Sequence, residues 1–233
     1  MEHTPRVAVI GDADTELPAE IRGVAIVPLS GPVDAVYLGG VDQARARDLK
    51  AEFTDIPCLT REEMTAVGLT GRLLVLLSRT GRTPASARVV VVESTAIPTL
   101  CTLLLATGVG DIVSWEPTDA LSYPLRQITY RSDAVIDPLG GGVPVVLPST
   151  EAGQPPLIAA DDPSYPLLAL PGLVRALLAH PGARPDYDVL RACAFALAAH
   201  TPAHRWLPDP DDPELTCTVR TMAGRALRRS RES

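Results

Sequence analysis

The sequence predicts an α/β fold in which a parallel, mostly buried sheet is flanked by helices. Two observations lead there. Short apolar runs recur along the chain: RVAVIG (Arg6–Gly11), VAIVPL (Val24–Leu29), DAVYLGG (Asp34–Gly40), VVVV (Val89–Val92), DIVSWE (Asp111–Glu116) and DAVID (Asp133–Asp137). Several end in glycine, proline or an acid, as strands buried on both faces do. Helical patterns lie between them, and this alternation marks parallel strands joined by crossovers.

The helices follow in order. DQARARDLKAEF (Asp42–Phe53) is a polar helix with Asp42 placed to cap it. In IPCLTREEMTAVGLTGRLLVLLSRTGR, Thr60 followed by Glu63 forms a capping box. Beyond it Met64, Val67, Leu69, Leu73, Leu74, Leu76 and Leu77 make a helix apolar on much of its surface, which predicts burial between layers. ARVVVVESTAIPTLCTLLLATGVGDIVSWE then reads as strand, helix and strand ending in an acid, the outline of a Rossmann-like dinucleotide unit. Its helix is expected to begin at Pro98, where a missing N–H is harmless, and to stop at Gly108. Such a unit normally turns from strand to helix on glycines, and VESTAI contains none.

The remaining chain is expected to place DAVID and VPVVLP (Val143–Pro148) in the same sheet. STEAGQPPLIAADDPSYP reads as a proline-rich loop, followed by the amphipathic segments LLALPGLVRALLAH and DYDVLRACAFALAAH. WLPDPDDP is a loop, and ELTCTVRTMAGRALRRS is a last helix with arginines where they suit the helix dipole. The tail RRSRES is expected to fray.

Composition narrows the function. The 233 residues are 46% hydrophobic and 21% charged, enough for one or two domains with a core. A net charge of -7 argues against nucleic acid or an anionic membrane as partner. No run approaches the ~20 apolar residues of a membrane span, and MEHTPRVAVIGD lacks the features of a secretory signal. The four cysteines are widely spaced. A reduced, cytoplasmic protein without a metal cluster is expected. Asparagine is absent and Lys50 is the one lysine, a bias typical of a high-GC bacterial genome.

Four segments in register carry a family resemblance: IPCLTREEMTAV (Ile56–Val67), LLLATGVGDIVSWE (Leu103–Glu116), YPLLALPGLVRALL (Tyr165–Leu178) and WLPDPDDP (Trp206–Pro213). Together they resemble the malic enzymes after their N-terminal helical region, so that the chain looks truncated at its N-terminus relative to that family. The resemblance implies a Rossmann-like domain over residues 62–163, resembling the family's NAD-binding domain. Residues 1–61 and 164–233 would form a smaller discontinuous lobe. It also implies a homodimer, because malic enzymes are oligomeric.

The family's chemistry carries over poorly. Malic enzymes oxidise malate with NAD(P) and decarboxylate the product on a divalent metal. The position of their lysine base corresponds to Val24, and their metal-binding Glu-Asp pair to Gly39 and Gly40. The third ligand corresponds to Glu62, the weak metal candidate. The glycines of the nucleotide turn correspond to Val92, Ser94 and Ile97, and the asparagine-rich substrate motif has no counterpart. Glu116 matches the acid that holds the adenosine ribose, and with the hydroxyls of Ser94 and Thr95 it forms the weak cofactor-binding candidate set. Each has a plainer reading. Glu62 and Glu63 suit a helix start, and Glu116 a surface strand end. His200 and His204 have metal-ligand spacing broken by Pro202. Asp209–Glu214 lacks the ligand alternation of a calcium loop.

The sequence therefore predicts no catalytic residue, no metal and no cofactor, with NAD(P) as the alternative. The expected function is a non-catalytic binding, scaffold or regulatory protein of malic enzyme type. The alternative is a repurposed enzyme or NAD(P)-binding oxidoreductase acting on a small carboxylate.

Overall fold

A computed structural model describes residues 4–11, 20–21, 23–140, 155–161 and 163–232. The first sheet holds β1 (Arg6–Gly11), β2 (Glu20–Ile21), β3 (Val24–Val27), β4 (Ala35–Gly39) and β5 (Cys58–Thr60), in the order β2-β3-β1-β4-β5. All its pairs are parallel except β2 with β3. The second sheet holds β6 (Arg88–Val92), β7 (Asp111–Trp115), β8 (Ala134–Asp137) and β9 (Leu157–Ala159), in the order β7-β6-β8-β9, and is fully parallel. Around them lie α1 (Gln43–Glu52), α2 (Arg61–Arg79), α3 (Pro98–Thr107), α4 (Leu125–Ile128), α5 (Tyr165–Leu168), α6 (Leu170–Leu178), α7 (Tyr187–His200) and α8 (Pro213–Glu232).

The two sheets agree with a Rossmann-like sheet beside a smaller α/β lobe that holds the N-terminal strands, and α2 joins them. Its capping box is formed: Thr60 Oγ1 accepts from the Glu63 N–H at 3.1 Å, and Glu63 accepts from the Thr60 N–H at 2.9 Å. Beyond that start the helix is buried from Met64 through Leu77 except at Arg72, and each fully buried leucine contributes about 1.5–3 kcal/mol. Gly68 and Gly71 let it approach its neighbours. A Cβ on Gly68 would lie 2.5 Å from the Tyr165 ring, and one on Gly71 3.1 Å from Leu197.

Strand alternation then sorts the core. Tyr37 on β4 and Val89 and Val91 on β6 join α2 in one large cluster reaching both sheets. The intervening Val36 and Leu38 pack with Leu49 of α1, while Val90 and Val92 pack with Trp115 and Leu125 on the opposite face of the second sheet.

Most expected elements are present, with Asp42, Pro98 and Gly108 at the helix ends assigned to them. Three expectations need correction. Leu157–Ala159, inside the proline-rich segment read as loop, forms β9. LLALPGLVRALLAH is two helices, broken at Ala169 just before Pro171. The tail expected to fray stays helical to Glu232, and Ala226 and Leu227 bury the turn before it. Val143–Pro148, read as a strand, lies outside the described residues. No helix among the described residues is long and apolar enough to cross a membrane.

Candidate functional site

The carboxyl ends of both sheets open into one cleft at the N-terminus of α2. Open α/β sheets bind ligands at this end of their strands. The cleft holds a cavity of about 330 Å³ walled by Leu38, Val41 and Ile97, with Pro138 and Leu139 after β8. Its charged lining residues are Arg61 and Glu62, adjacent in the first turn of α2, and Thr60, Thr65 and Tyr165 add polar groups. Burial raises the Glu62 carboxyl above its ordinary range; the neighbouring Glu63 adds to this and Lys50 opposes it. Glu63 itself is committed to the helix cap and to Lys50 Nζ at 2.6 Å. At the far wall Tyr165 is buried, and its hydroxyl accepts from Arg72 Nη1 at 2.5 Å.

Beside this cavity lies the turn between β6 and α3, where a dinucleotide would be bound in a Rossmann-like unit. Val92 continues β6 and is buried against Trp115. The left-handed residue of the turn is the next one, Glu93, at φ 50. The strain therefore falls one position after the residue matched to the first glycine. A side chain there costs roughly 1 kcal/mol.

Ser94 lies where the second glycine would admit a pyrophosphate. Its Oγ instead donates to Glu116 Oε1 at 3.0 Å, and the Thr95 N–H donates to the same oxygen at 3.3 Å. Ile97, at the third glycine position, is buried in the main core. The three candidates Ser94, Thr95 and Glu116 are thus brought together, and they are bonded to one another. Glu116 is half-buried, and its own N–H donates to Asp119 at 3.2 Å. As it stands this turn fits a dinucleotide poorly, because Glu116 takes up the Ser94 hydroxyl and the Thr95 N–H, two donors that a phosphate would use.

The metal positions fit no better. Gly39 ends β4 opposite Gly11, and a Cβ on Gly11 would lie 1.5 Å from the Gly39 carbonyl oxygen. Gly40 has φ +68, a conformation that disfavours a side chain. The acid next to Glu62, Glu63, is taken up by the helix cap and Lys50, and among the described residues no group of three or more His, Cys, Asp or Glu could hold a metal ion. Val24, at the position of the base, is fully buried in β3.

The remaining candidates have structural partners. His200 Nε2 lies 2.8 Å from Asp212, which also accepts from the Glu214 N–H to start α8. His180, just past α6, is likewise satisfied locally, with Nδ1 2.8 Å from the Ala176 carbonyl. Asp209 pairs with Arg205 at 2.6 Å. Arg79 stacks on Trp206 with 4.4 Å to the ring centroid and donates to the carbonyls of Pro202 and Arg205, pinning the WLPDP loop.

Two arginines escaped sequence reasoning. Arg72 interrupts the apolar run of α2, and a cation set in such a run needs a partner, which is a readable signal. Arg61 gave none, since an arginine in a first helical turn is common on any surface.

No protein-family model matches the sequence, and no curated protein matches it. Solved structures do match. The chain is similar to the malic enzyme of Pyrococcus horikoshii Ot3, at TM-score 0.73 and 14% identity, over 97% of this chain and 77% of that one. It is similar to the NAD-dependent malic enzyme of Thermotoga maritima at TM-score 0.71 and 15% identity, over 94% and 84% of the two chains. With the malic enzyme of Entamoeba histolytica it aligns at TM-score 0.71 and 14% identity, covering 91% of this chain and 63% of that one. At such identities the likeness is one of architecture, and the chain has the malic enzyme fold.

Proposed function

We propose that this protein is a malic-enzyme-like binding or regulatory protein that does not oxidise or decarboxylate malate. The observation that carries the reading is the contact of Glu116 with Ser94 and Thr95. A dinucleotide would have to displace both bonds. At about 1 to 1.5 kcal/mol each this weakens binding by roughly 30- to 150-fold. Val24 and the Gly39–Gly40 pair support the same conclusion for the base and the metal.

The test is direct. Purified protein is given malate with NAD⁺ or NADP⁺ and magnesium or manganese, and each cofactor is titrated calorimetrically. No turnover and no binding in the micromolar range are expected; metal-dependent reduction of NADP⁺ would overturn the reading.

A second reading, a repurposed enzyme acting on a small carboxylate in the same cleft, draws on the open cavity and on Glu62, whose raised pKa suits proton transfer. The domain division at residues 62–163, a cytoplasmic location and a homodimer belong to the proposal too. Leu121, Tyr123 and Tyr130 are 99%, 61% and 68% exposed within one short segment, and they favour a partner surface. Light scattering of the purified protein decides the oligomeric state.

A further inference from the structure

We infer that the cleft is a binding site for a small monocarboxylate with an apolar body, whose carboxylate is received by Arg61. The inference rests on the reading above, that the cleft is used without a dinucleotide.

The walls set the class. Leu38, Val41, Ile97 and Leu139 give the cavity an apolar lining, and Arg61 is its one cation among the lining residues. Arg61 has no ion-pair partner among the described residues, whereas Lys50, Arg72 and Arg191 are each paired. Its charge also reaches inward, where it acts against the burial that pushes up the Tyr37 hydroxyl. An unpaired guanidinium at the rim of an apolar cavity recognises a planar anion through two parallel N–H donors.

Charge decides against the alternatives. The open cavity of about 330 Å³ has room for a short branched or cyclic acid. A dicarboxylate would set its second charge against the apolar wall or beside Glu62, with no second cation to receive it. A phosphate ester meets the same difficulty, since it carries nearly two charges at neutral pH.

The probe is isocaproate, titrated into the full chain by calorimetry and followed by thermal shift. Isocaproamide, glutarate and phenyl phosphate serve as comparators. Isocaproate is expected to bind about ten-fold or more tightly than its amide and than glutarate, the discrimination of one charge-assisted contact. Arg61→Gln should remove that preference, while Arg47→Gln, on the exposed face of α1, should leave it intact. Equal binding of acid and amide, tighter binding of glutarate or phenyl phosphate, or no binding of isocaproate would each overturn the proposal. The acid-to-amide comparison uses the unaltered chain, so it decides the matter even if Arg61→Gln fails to fold. A parallel NAD⁺ titration separates the two ideas. Tight NAD⁺ binding defeats the cofactor-free reading, and a carboxylate preference that survives in Arg61→Gln defeats the assignment to Arg61.

Discussion

The bond between Ser94 and Glu116 can be weighed by a double-mutant cycle. Ser94→Ala removes the Oγ donor at 3.0 Å, and Glu116→Ala removes the acceptor shared with the Thr95 N–H at 3.3 Å. Hydrogen bonds to charged groups contribute about 1.5–3 kcal/mol, but both partners here are only half-buried, so the lower end applies. Ser94→Ala should therefore cost about 1 to 1.5 kcal/mol, and Glu116→Ala somewhat more because it frees two donors. The double variant should cost less than the sum, with a coupling of about 1 kcal/mol. Urea unfolding followed by circular dichroism supplies the four free energies, and the thermal midpoint should fall by about 2–4 °C per kcal/mol. Additive effects, with coupling below about 0.3 kcal/mol, would refute the closed turn and with it the main support for a cofactor-free cleft.

Other expectations concern packing and pH. A Cβ on Gly172 would lie 2.5 Å from Val219 Cβ and 2.8 Å from the Thr216 carbonyl, so Gly172→Ala should force α6 and α8 apart and lower stability by about 1–3 kcal/mol in urea titration. Thr70 Oγ1 is buried with no hydrogen-bond partner among the described residues, so Thr70→Val should be neutral or stabilise by up to about 1 kcal/mol; a clear loss would reveal a partner. Burial pushes the Cys58 thiol up to about 11 and the Cys193 thiol up to about 12. Both folded values exceed the ordinary thiol value of about 8.5, so the unfolded chain gives up its protons first. The stability that these thiols contribute is complete below that value and is lost as pH rises through about 11 to 12. Urea unfolding across the alkaline range should show the loss, and Cys193→Ala should make it shallower.

Local signals were the legible ones. The Thr60–Glu63 box, the Pro98 start and the Gly108 stop depend on residues a few positions apart, and each was formed as read. Strand β9 was hidden because three residues among prolines carry too little periodicity, and its pairing with β8 reaches across a long segment. The separate N-terminal sheet was legible only through the family resemblance, since no local pattern tells which faces α2 covers. At the site, the three missing glycines were readable as sequence, but the left-handed turn falls on Glu93. The partner that fills the vacated space, Glu116, lies 22 positions from Ser94. Arg61 was silent because its meaning comes from the apolar walls opposite, contributed by β4, the α3 turn and the residues after β8.

The burial of α2 also has a consequence for biosynthesis. Its apolar flank is covered by α3, α5 and α7, and Gly71 meets Leu197 of the last of these. On the ribosome α2 is made long before α7. At about 5–20 residues per second, its leucines wait roughly 5–20 s for that cover. Over this interval the nascent chain presents an uncovered greasy helix to the cell. The protein should therefore depend on chaperones that hold emerging chains, and fragments ending before Leu197 should aggregate when expressed alone.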